Sequence, residues 1–66
     1  MKNTLKVQRA ILDLTQDDLA KQIGVSRQTI NSIEKSRYVP STVLALKLSA
    51  VFKISVNDFF TLEEGD

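Results

Sequence analysis

Apolar residues recur along this chain at helical spacing, and strict alternation with a period of two is hard to find. Four residues with the hydroxyl of a helix N-cap stand directly before such segments: Thr15, Ser26, Ser41 and Ser55. Two of them begin a capping-box pattern with Asp in place of Glu, Thr15-x-x-Asp18 and Ser55-x-x-Asp58. The pattern predicts an all-α fold of five helices, over about 4–12, 16–23, 27–35, 42–52 and 56–60.

The second and third predicted helices are separated by a very short connection. Gly24 follows the last apolar residue of the second helix, where a left-handed residue commonly ends a helix. Val25 and the cap Ser26 are the only other residues between the two helices. This spacing predicts a helix-turn-helix unit over about 16–35.

The third predicted helix has one continuous polar face. At 100° per residue, that face collects Arg27, Asn31, Lys35, Gln28 and Ser32, while Ile30, Ile33 and Thr29 lie opposite and Glu34 lies at the boundary. A solvated helix face usually carries acids and bases four residues apart, and this face contains no acid. Because Arg pairs well with guanine and Asn or Gln with adenine in the major groove, the face favours DNA binding over an ordinary surface.

Charge is distributed unevenly along the chain although the net charge is only +1. Residues 21–37 hold four cations and one anion, a local charge of +3, whereas residues 54–66 hold four acids and no cation. The first segment can face phosphate and the second would be repelled by it. Local fluctuation in a chain of 66 residues explains the charges equally well if nothing else agrees.

Composition excludes several kinds of chemistry. The chain contains no Cys and no His, so it has no disulfide, no thiolate metal site and no histidine general base. Asp17 and Asp18 are adjacent and point to different helix faces, which argues against a paired-carboxylate enzyme. We expect no cofactor, no metal and no small-molecule effector. Neither a membrane span nor a signal peptide is visible, so a cytoplasmic protein is expected.

Two opposite charges fall on faces that should be turned inward. Arg9 shares a stripe with Leu5 and Leu12 on the first helix, and Glu34 borders the apolar side of the third. Partly buried charges need a partner, so we expect Arg9 and Glu34 to form a structural ion pair. The fourth helix is apolar almost all round, which predicts a core helix with part of its second face against another subunit.

Four ordered segments resemble the Cro/C1-type (Xre-like) family of bacterial, archaeal and phage transcriptional regulators. They are LTQDDLA (14–20), GVSRQTINSIE (24–34), YVPS (38–41) and SVNDFF (55–60), and the resemblance extends from Asn3 to Leu62. It implies a compact five-helix, lambda-repressor-like DNA-binding domain spanning 1–66. It also implies a homodimer on a palindromic operator, acting as a repressor.

The resemblance also implies roles for individual positions. Base edges are contacted by Arg27, Gln28, Ser32 and Asn31, and the DNA backbone by Gln16, Ser26, Thr29, Lys35, Arg37 and Tyr38. An Arg9–Glu34 pair is a family feature as well. For the dimer interface we expect the fifth helix and the tail, with Val56, Phe59, Phe60 and Leu62, although at least one phenylalanine should belong to the core.

This chain departs from the family pattern in its first helix. The family often has an apolar residue at the place of Gln8 and charged residues at those of Ile11 and Leu12. The apolar face of the helix is thus rotated, and Ile11 or Leu12 is expected to be exposed or to meet a partner.

Short members of the family can pair N-terminal residues with the tail as a small β-ribbon, for which residues 60–63 are suited. An antitoxin or a protein-interaction module built on the same domain is the alternative function.

Overall fold

The computed structural model describes all residues, Met1–Asp66. Its helices are α1 (Leu5–Ile11), α2 (Gln16–Ile23), α3 (Arg27–Glu34) and α4 (Thr42–Phe52), followed by a 3₁₀ turn (Val56–Asp58), and its two strands are β1 (Lys2–Asn3) and β2 (Phe60–Thr61). The bounds of α2 and α4 agree with the prediction, and α1 and α3 are shorter by one residue at one or both ends. The predicted fifth helix over 56–60 is wrong, because only one 3₁₀ turn forms there.

The fifth helix stops early because the N-terminal residues offer its backbone other partners. The Phe59 N–H donates to the Val56 carbonyl at 3.2 Å, which closes a three-residue turn. The Phe59 carbonyl then accepts from the Thr4 N–H at 3.0 Å, and Phe60 pairs with Asn3 in an antiparallel ribbon. A short terminal β-ribbon is therefore present, with Lys2 opposite Thr61.

Local signals in the sequence set the ends of the helices. Thr15 caps α2 reciprocally with Asp18: each backbone N–H donates to the other side chain at 3.0 Å. Gly24 ends α2 in the left-handed conformation, at φ 75°, which lets the Val25 N–H return to the Ala20 carbonyl at 3.0 Å. Ser26 and Ser41 cap α3 and α4 by accepting the N–H three residues on. The turn between α2 and α3 is thereby fixed by its own residues.

The core consists of apolar side chains from every helix and from the terminal ribbon, and no polar residue is buried. Its members are Leu5, Leu19, Ala20, Ile23, Ile30, Ile33, Leu44, Leu48, Phe52, Phe59 and Phe60. Phe59 packs edge-on against Phe52, with ring centroids 5.2 Å apart. One continuous apolar cluster thus holds α3 in place through its buried face.

Burial of the two tail phenylalanines corrects their assignment to a dimer interface. Phe59 is 1% exposed and Phe60 is 7% exposed within a single chain, so neither side chain offers surface to a second subunit. The two phenylalanines close the core, as the sequence required of at least one of them. Of the four residues assigned to the interface, Leu62 is the exposed one and Val56 is half-buried.

Several apolar side chains of α1 and α4 remain at the surface. Leu5 is the only buried residue of α1. Ile11 is 69% exposed, in keeping with the rotated apolar face expected for this helix. On α4, Val43 and Leu46 are exposed on the side opposite the core residues. None of the helices has the length and apolar character needed to cross a bilayer.

Candidate nucleic-acid interface

Helix α3 is anchored by its apolar side and presents its polar side outward. Ile30 and Ile33 are fully buried against the core. Arg27, Gln28 and Lys35 are exposed. The remaining two residues of the polar face, Asn31 and Ser32, are half-buried, as is Thr29. The helix therefore projects its hydrogen-bonding side chains from a fixed base, as the spacing predicts.

An open cleft runs along one side of α3, between that helix and α4. It is lined by Ile23, Gly24, Val25, Gln28, Thr29, Ser32, Tyr38, Ser41, Val43, Leu44 and Lys47. Amide and hydroxyl groups of α3 thus lie beside the apolar side chains of the turn and of α4. Such a mixed surface suits the base edges and methyl groups of a DNA groove better than it suits phosphate.

A second open cleft lies on the other side of α3, toward α1 and the start of α2. It is lined by polar residues alone: Lys6, Arg9, Gln16, Asn31, Glu34 and Lys35. Three of these six carry a positive charge and one a negative charge. The two sides of α3 therefore differ in chemistry, and Arg27 lines neither cleft.

The structure brings Arg9 and Glu34 together in a two-point ion pair. Arg9 Nε donates to Glu34 Oε2 at 2.6 Å, and the Arg9 Nη2 atom donates to Oε1 at 3.1 Å. The Arg9 Nη1 atom donates to the Leu14 carbonyl at 2.8 Å, so the same side chain ties α1 to the loop before α2. The hydrogen bond to Glu34 raises the pKa of Arg9 above its ordinary value. The Glu34 side chain is only 7% exposed, so its carboxylate is largely shielded from solvent although it borders the second cleft.

Gln16 joins this pair to the polar face of α3. Its amide nitrogen donates to Glu34 Oε1 at 3.1 Å and to Asn31 Oδ1 at 3.3 Å. An ionised carboxylate only accepts hydrogen bonds, so the partner Glu34 fixes which end of the Gln16 amide points inward. Both donor hydrogens of Gln16 are thereby used within the protein. To donate a hydrogen bond to a DNA phosphate, as the family resemblance leads us to expect, the Gln16 amide would have to break one of these two bonds.

The other expected backbone contacts lie at the two ends of α3. Ser26 accepts the Thr29 N–H at 3.2 Å, and the two hydroxyl groups are 3.0 Å apart, so both side chains stabilise the first turn. At the far end, Ser36 adopts a left-handed conformation, at φ 58°. Arg37 and Tyr38 follow in the loop that leads to α4, and both are exposed.

Three residues near α3 were missed by sequence reasoning. Lys6 lies three residues before Arg9 on α1, a spacing that already places both on one helix face. Lys47 is the one charged residue of the apolar helix α4 and lines the first cleft. Asn3 donates its side-chain amide to the Ile33 carbonyl at 2.8 Å, a contact for which the sequence gives no signal.

A second helix with an exposed polar face, held after a tight turn against the first, is typical of a helix-turn-helix unit. A helix-turn-helix family model matches residues 5–59, which include α1 to α4 and the 3₁₀ turn. This chain belongs to the Cro/C1-type helix-turn-helix family. It is a DNA-binding regulator of transcription, and the family is not one of enzymes.

Relatives of the same size are found in archaea and bacteria. The chain is 52% identical over 66 residues to an uncharacterized HTH-type transcriptional regulator of Methanocaldococcus jannaschii, covering all of both chains. It is 47% identical over 64 residues to the uncharacterized HTH-type transcriptional regulator YgzD of Bacillus subtilis, covering 97% of each.

Two solved repressor structures have the same fold as this member of the Cro/C1-type family. The P22 c2 repressor, crystallised with a synthetic operator, superposes with a TM-score of 0.78 at 31% identity, over 94% of this chain and 89% of that one. The SOS-response repressor LexA of Eubacterium rectale gives a TM-score of 0.79 at 31% identity, over 94% and 66%. The lambda-repressor-like fold is thereby confirmed, with four helices and a ribbon instead of five helices.

Proposed function

We propose that this regulator binds a palindromic operator in duplex DNA as a homodimer and represses transcription. The observation that carries the proposal is the acid-free polar face of α3 between two clefts, held by the buried Ile30 and Ile33. The P22 c2 repressor and LexA, similar in fold, are both repressors, and the first was crystallised with an operator. Residues 1–66 form the DNA-binding unit, with residues 16–35 as its helix-turn-helix, and it acts where the chromosome lies, in the cytoplasm.

In this proposal, α3 enters the major groove and reads bases with the exposed Arg27 at its first position and with Gln28 and Ser32, which line the first cleft. Arg27 pairs with guanine, Gln28 pairs with adenine, and Ser32 hydrogen-bonds to either base edge. Ser26, Thr29, Lys35, Arg37 and Tyr38 contact the DNA backbone and set the register. A second subunit places its α3 about 34 Å away, one helical turn along the duplex.

The test is a selection of random duplexes on the purified protein, followed by binding titrations of the selected site. We expect a palindromic sequence, loss of sequence preference in Arg27→Ala and Gln28→Ala, and little change in the matched control Gln22→Ala, an exposed glutamine on α2. Light scattering should give a dimer at working concentration. Binding without sequence preference, or preference unaffected by Gln28→Ala, refutes the reading function, and a monomer on DNA refutes the dimer.

Exposed apolar side chains favour a second candidate function, that of an antitoxin or a protein-interaction module. Val7 and Ile11 lie one turn apart on α1, and Val43 and Leu46 lie one turn apart on α4; all four are more than half exposed. A protein partner or a second subunit would cover such residues. Under this alternative, Arg27→Ala and Gln28→Ala would leave binding of the protein partner intact, while Leu46→Lys and Ile11→Lys, at positions outside both clefts, would abolish it.

A further inference from the structure

We propose that the outer face of α1, formed by Val7, Ala10 and Ile11, is a contact surface for a second copy of this protein bound beside the first on DNA. In this contact two α1 helices pack antiparallel about a two-fold axis, and binding at neighbouring positions on the duplex becomes cooperative. The surface is separate from the proposed dimer interface in the tail. The inference goes beyond the proposed function, because it concerns molecules that occupy different sites.

Three apolar residues form a continuous strip on the exposed side of α1. Ala10, Val7 and Ile11 lie at about 140°, 200° and 240° around the helix from the buried Leu5. Val7 is 55% exposed and Ile11 is 69% exposed. Contiguous apolar patches mark interaction surfaces, whereas single exposed apolar residues do not. The strip is also where the chain departs from its family, which often carries a charge at the place of Ile11.

The strip points away from the surface assigned to DNA. Arg9 lines the second cleft beside α3, and Val7 and Ile11 each lie about 160° around the helix from it. None of the three strip residues lines either cleft. A copy with α3 in the major groove therefore keeps the strip free for a neighbour.

Charges at the two ends of the strip are complementary for a two-fold contact. Lys6 and Asp13 are seven residues apart, about two helical turns, so they flank the same edge of the strip at its opposite ends. Both are exposed, and neither is in a salt bridge within the chain. In an antiparallel isologous contact, Lys6 of each copy meets Asp13 of the other, and Val7 of each packs against Ile11 of the other. A second copy thus supplies both the apolar surface and the opposite charges.

The size of the strip indicates a contact that forms on DNA and not in free solution. Helix α1 has seven residues and is only about 10 Å long. A stable protein interface buries about 800 Å² on each partner, which three side chains cannot supply. Two copies held side by side on one duplex meet at an effective concentration of about a millimolar, where a weak contact is populated.

Cooperativity of binding tests the contact. The probe is a long duplex of random sequence, on which every spacing between copies is accessible, so the result does not depend on a palindromic operator. We expect a cooperativity factor of about ten for the wild type and about one for Ile11→Lys. Gln22→Lys, which adds the same charge at an exposed position of α2, is the matched control and should keep the wild-type factor. The proposal is overturned if the wild type binds without cooperativity, if Ile11→Lys retains it, or if the control loses it equally.

Charge reversal distinguishes a second copy from any other occupant of the strip. Lys6→Glu and Asp13→Lys should each reduce the cooperativity factor toward one, because each variant places like charges at both ends of the contact. The double variant restores opposite pairs and should recover cooperativity, as should an equimolar mixture of the two single variants. Lys6 lines the second cleft, so Lys6→Glu can also weaken DNA binding, but the double variant shares that loss. If neither the folded double variant nor the mixture recovers cooperativity, the assignment to a second copy is overturned.

The mass in solution separates this contact from the proposed dimer. Light scattering should give Ile11→Lys the same mass as the wild type, because the strip does not hold the free protein together. A wild-type dimer that becomes a monomer in Ile11→Lys would make α1 the dimer interface and overturn the proposal. A monomeric wild type would refute the proposed dimer, and the cooperativity measurements would still decide the α1 contact.

Discussion

The side chain of Asn3 joins the start of α1 to the end of α3. Its amide nitrogen donates to the Ile33 carbonyl at 2.8 Å, and its carbonyl oxygen accepts the Leu5 N–H at 3.2 Å. Both partners are backbone groups at helix ends, where the helix itself leaves donors and acceptors unpaired. The backbone of Asn3 also pairs with Phe60 in the terminal ribbon. One residue thus fixes the ribbon to the C-terminal end of α3.

We therefore expect Asn3→Ala to destabilise the protein by about 1–2 kcal/mol, since two hydrogen bonds to helix ends are lost. Urea unfolding measures the change, and amide exchange should speed up at Ser36 and Arg37, whose N–H groups are bonded to the last turn of α3. Lys2→Ala is the control in the same strand and should change the stability by less than about 0.5 kcal/mol. Equal stability of the two variants would contradict this role of Asn3.

The Arg9–Glu34 pair predicts a large penalty for losing one partner. Both side chains are largely buried, 14% and 7% exposed, so Arg9→Met leaves the Glu34 carboxylate without its counter-charge. We expect a loss of about 3 kcal/mol in the free energy of unfolding. The double variant Arg9→Met with Glu34→Leu should be more stable than Arg9→Met alone, because no unpaired charge remains. If the double variant were no more stable than Arg9→Met, the unpaired Glu34 charge would not be the cause of the lost stability.

The capping box of α2 predicts a pH dependence of stability through Asp18. The hydrogen bond from the Thr15 backbone N–H, followed by that with the Thr15 side chain, lowers the pKa of Asp18 in the folded state. The unfolded chain therefore binds this proton more tightly. The contribution of Asp18 to the free energy of unfolding is fully present above the unfolded-state pKa of about 3.9. This contribution is lost as the pH falls through the lower pKa of the folded state.

NMR titration of the Asp18 carboxyl carbon should find the lowered pKa directly. Thr15→Val should return it part of the way, since the backbone N–H still donates. In Asp18→Asn, the stability should fall less steeply on acidification than in the wild type. An Asp18 pKa at or above the ordinary value would refute the capping role.

Two positions with positive φ predict stability changes of opposite sign. Gly24 has φ 75°, and a Cβ added there would meet no atom within 4 Å, so Gly24→Ala should cost only the backbone penalty of about 1 kcal/mol. Lys53 ends α4 at φ 58°, and Lys53→Gly should raise the free energy of unfolding by about 0.5 kcal/mol. The gain is small because relief of the backbone strain is partly offset by the greater flexibility of glycine in the unfolded chain. Lys47→Gly, inside α4, should instead lose about 1 kcal/mol. Thermal unfolding checks these signs: Lys53→Gly should unfold at a higher temperature than the wild type, and Gly24→Ala and Lys47→Gly at lower temperatures.

Features that depend on near neighbours in sequence could be predicted, because they arise from local physics. The caps Thr15, Ser26 and Ser41, the left-handed Gly24 and the buried face of α3 all follow from residues within one or two turns. The Arg9–Glu34 pair could be expected from two helix faces considered separately. These features set the turn between α2 and α3 and the orientation of α3.

The features that escaped prediction depend on residues distant in sequence. The fifth helix gave way to a strand because Asn3 and Thr4 offered hydrogen bonds to residues 59–60; the family resemblance allowed such a ribbon for residues 60–63, but no local pattern encodes the pairing. Burial of both Phe59 and Phe60 follows from the same ribbon. The orientation of the Asn31 amide likewise depends on Gln16, fifteen residues earlier on another helix. Each of these outcomes is decided by tertiary contacts, which override local propensity.

The difference between the two sides of α3 has a consequence for how such a regulator acquires a new target. Gln28 and Ser32 can be exchanged without touching the Arg9–Glu34–Gln16 network, which lies across the helix from them. With Gln28 and Ser32 reading bases as proposed above, retargeting by substitution at these two positions should leave stability and general affinity for duplex DNA nearly constant. Sister genes arising by duplication could diverge in operator choice one side chain at a time, each intermediate remaining folded and bound to the chromosome.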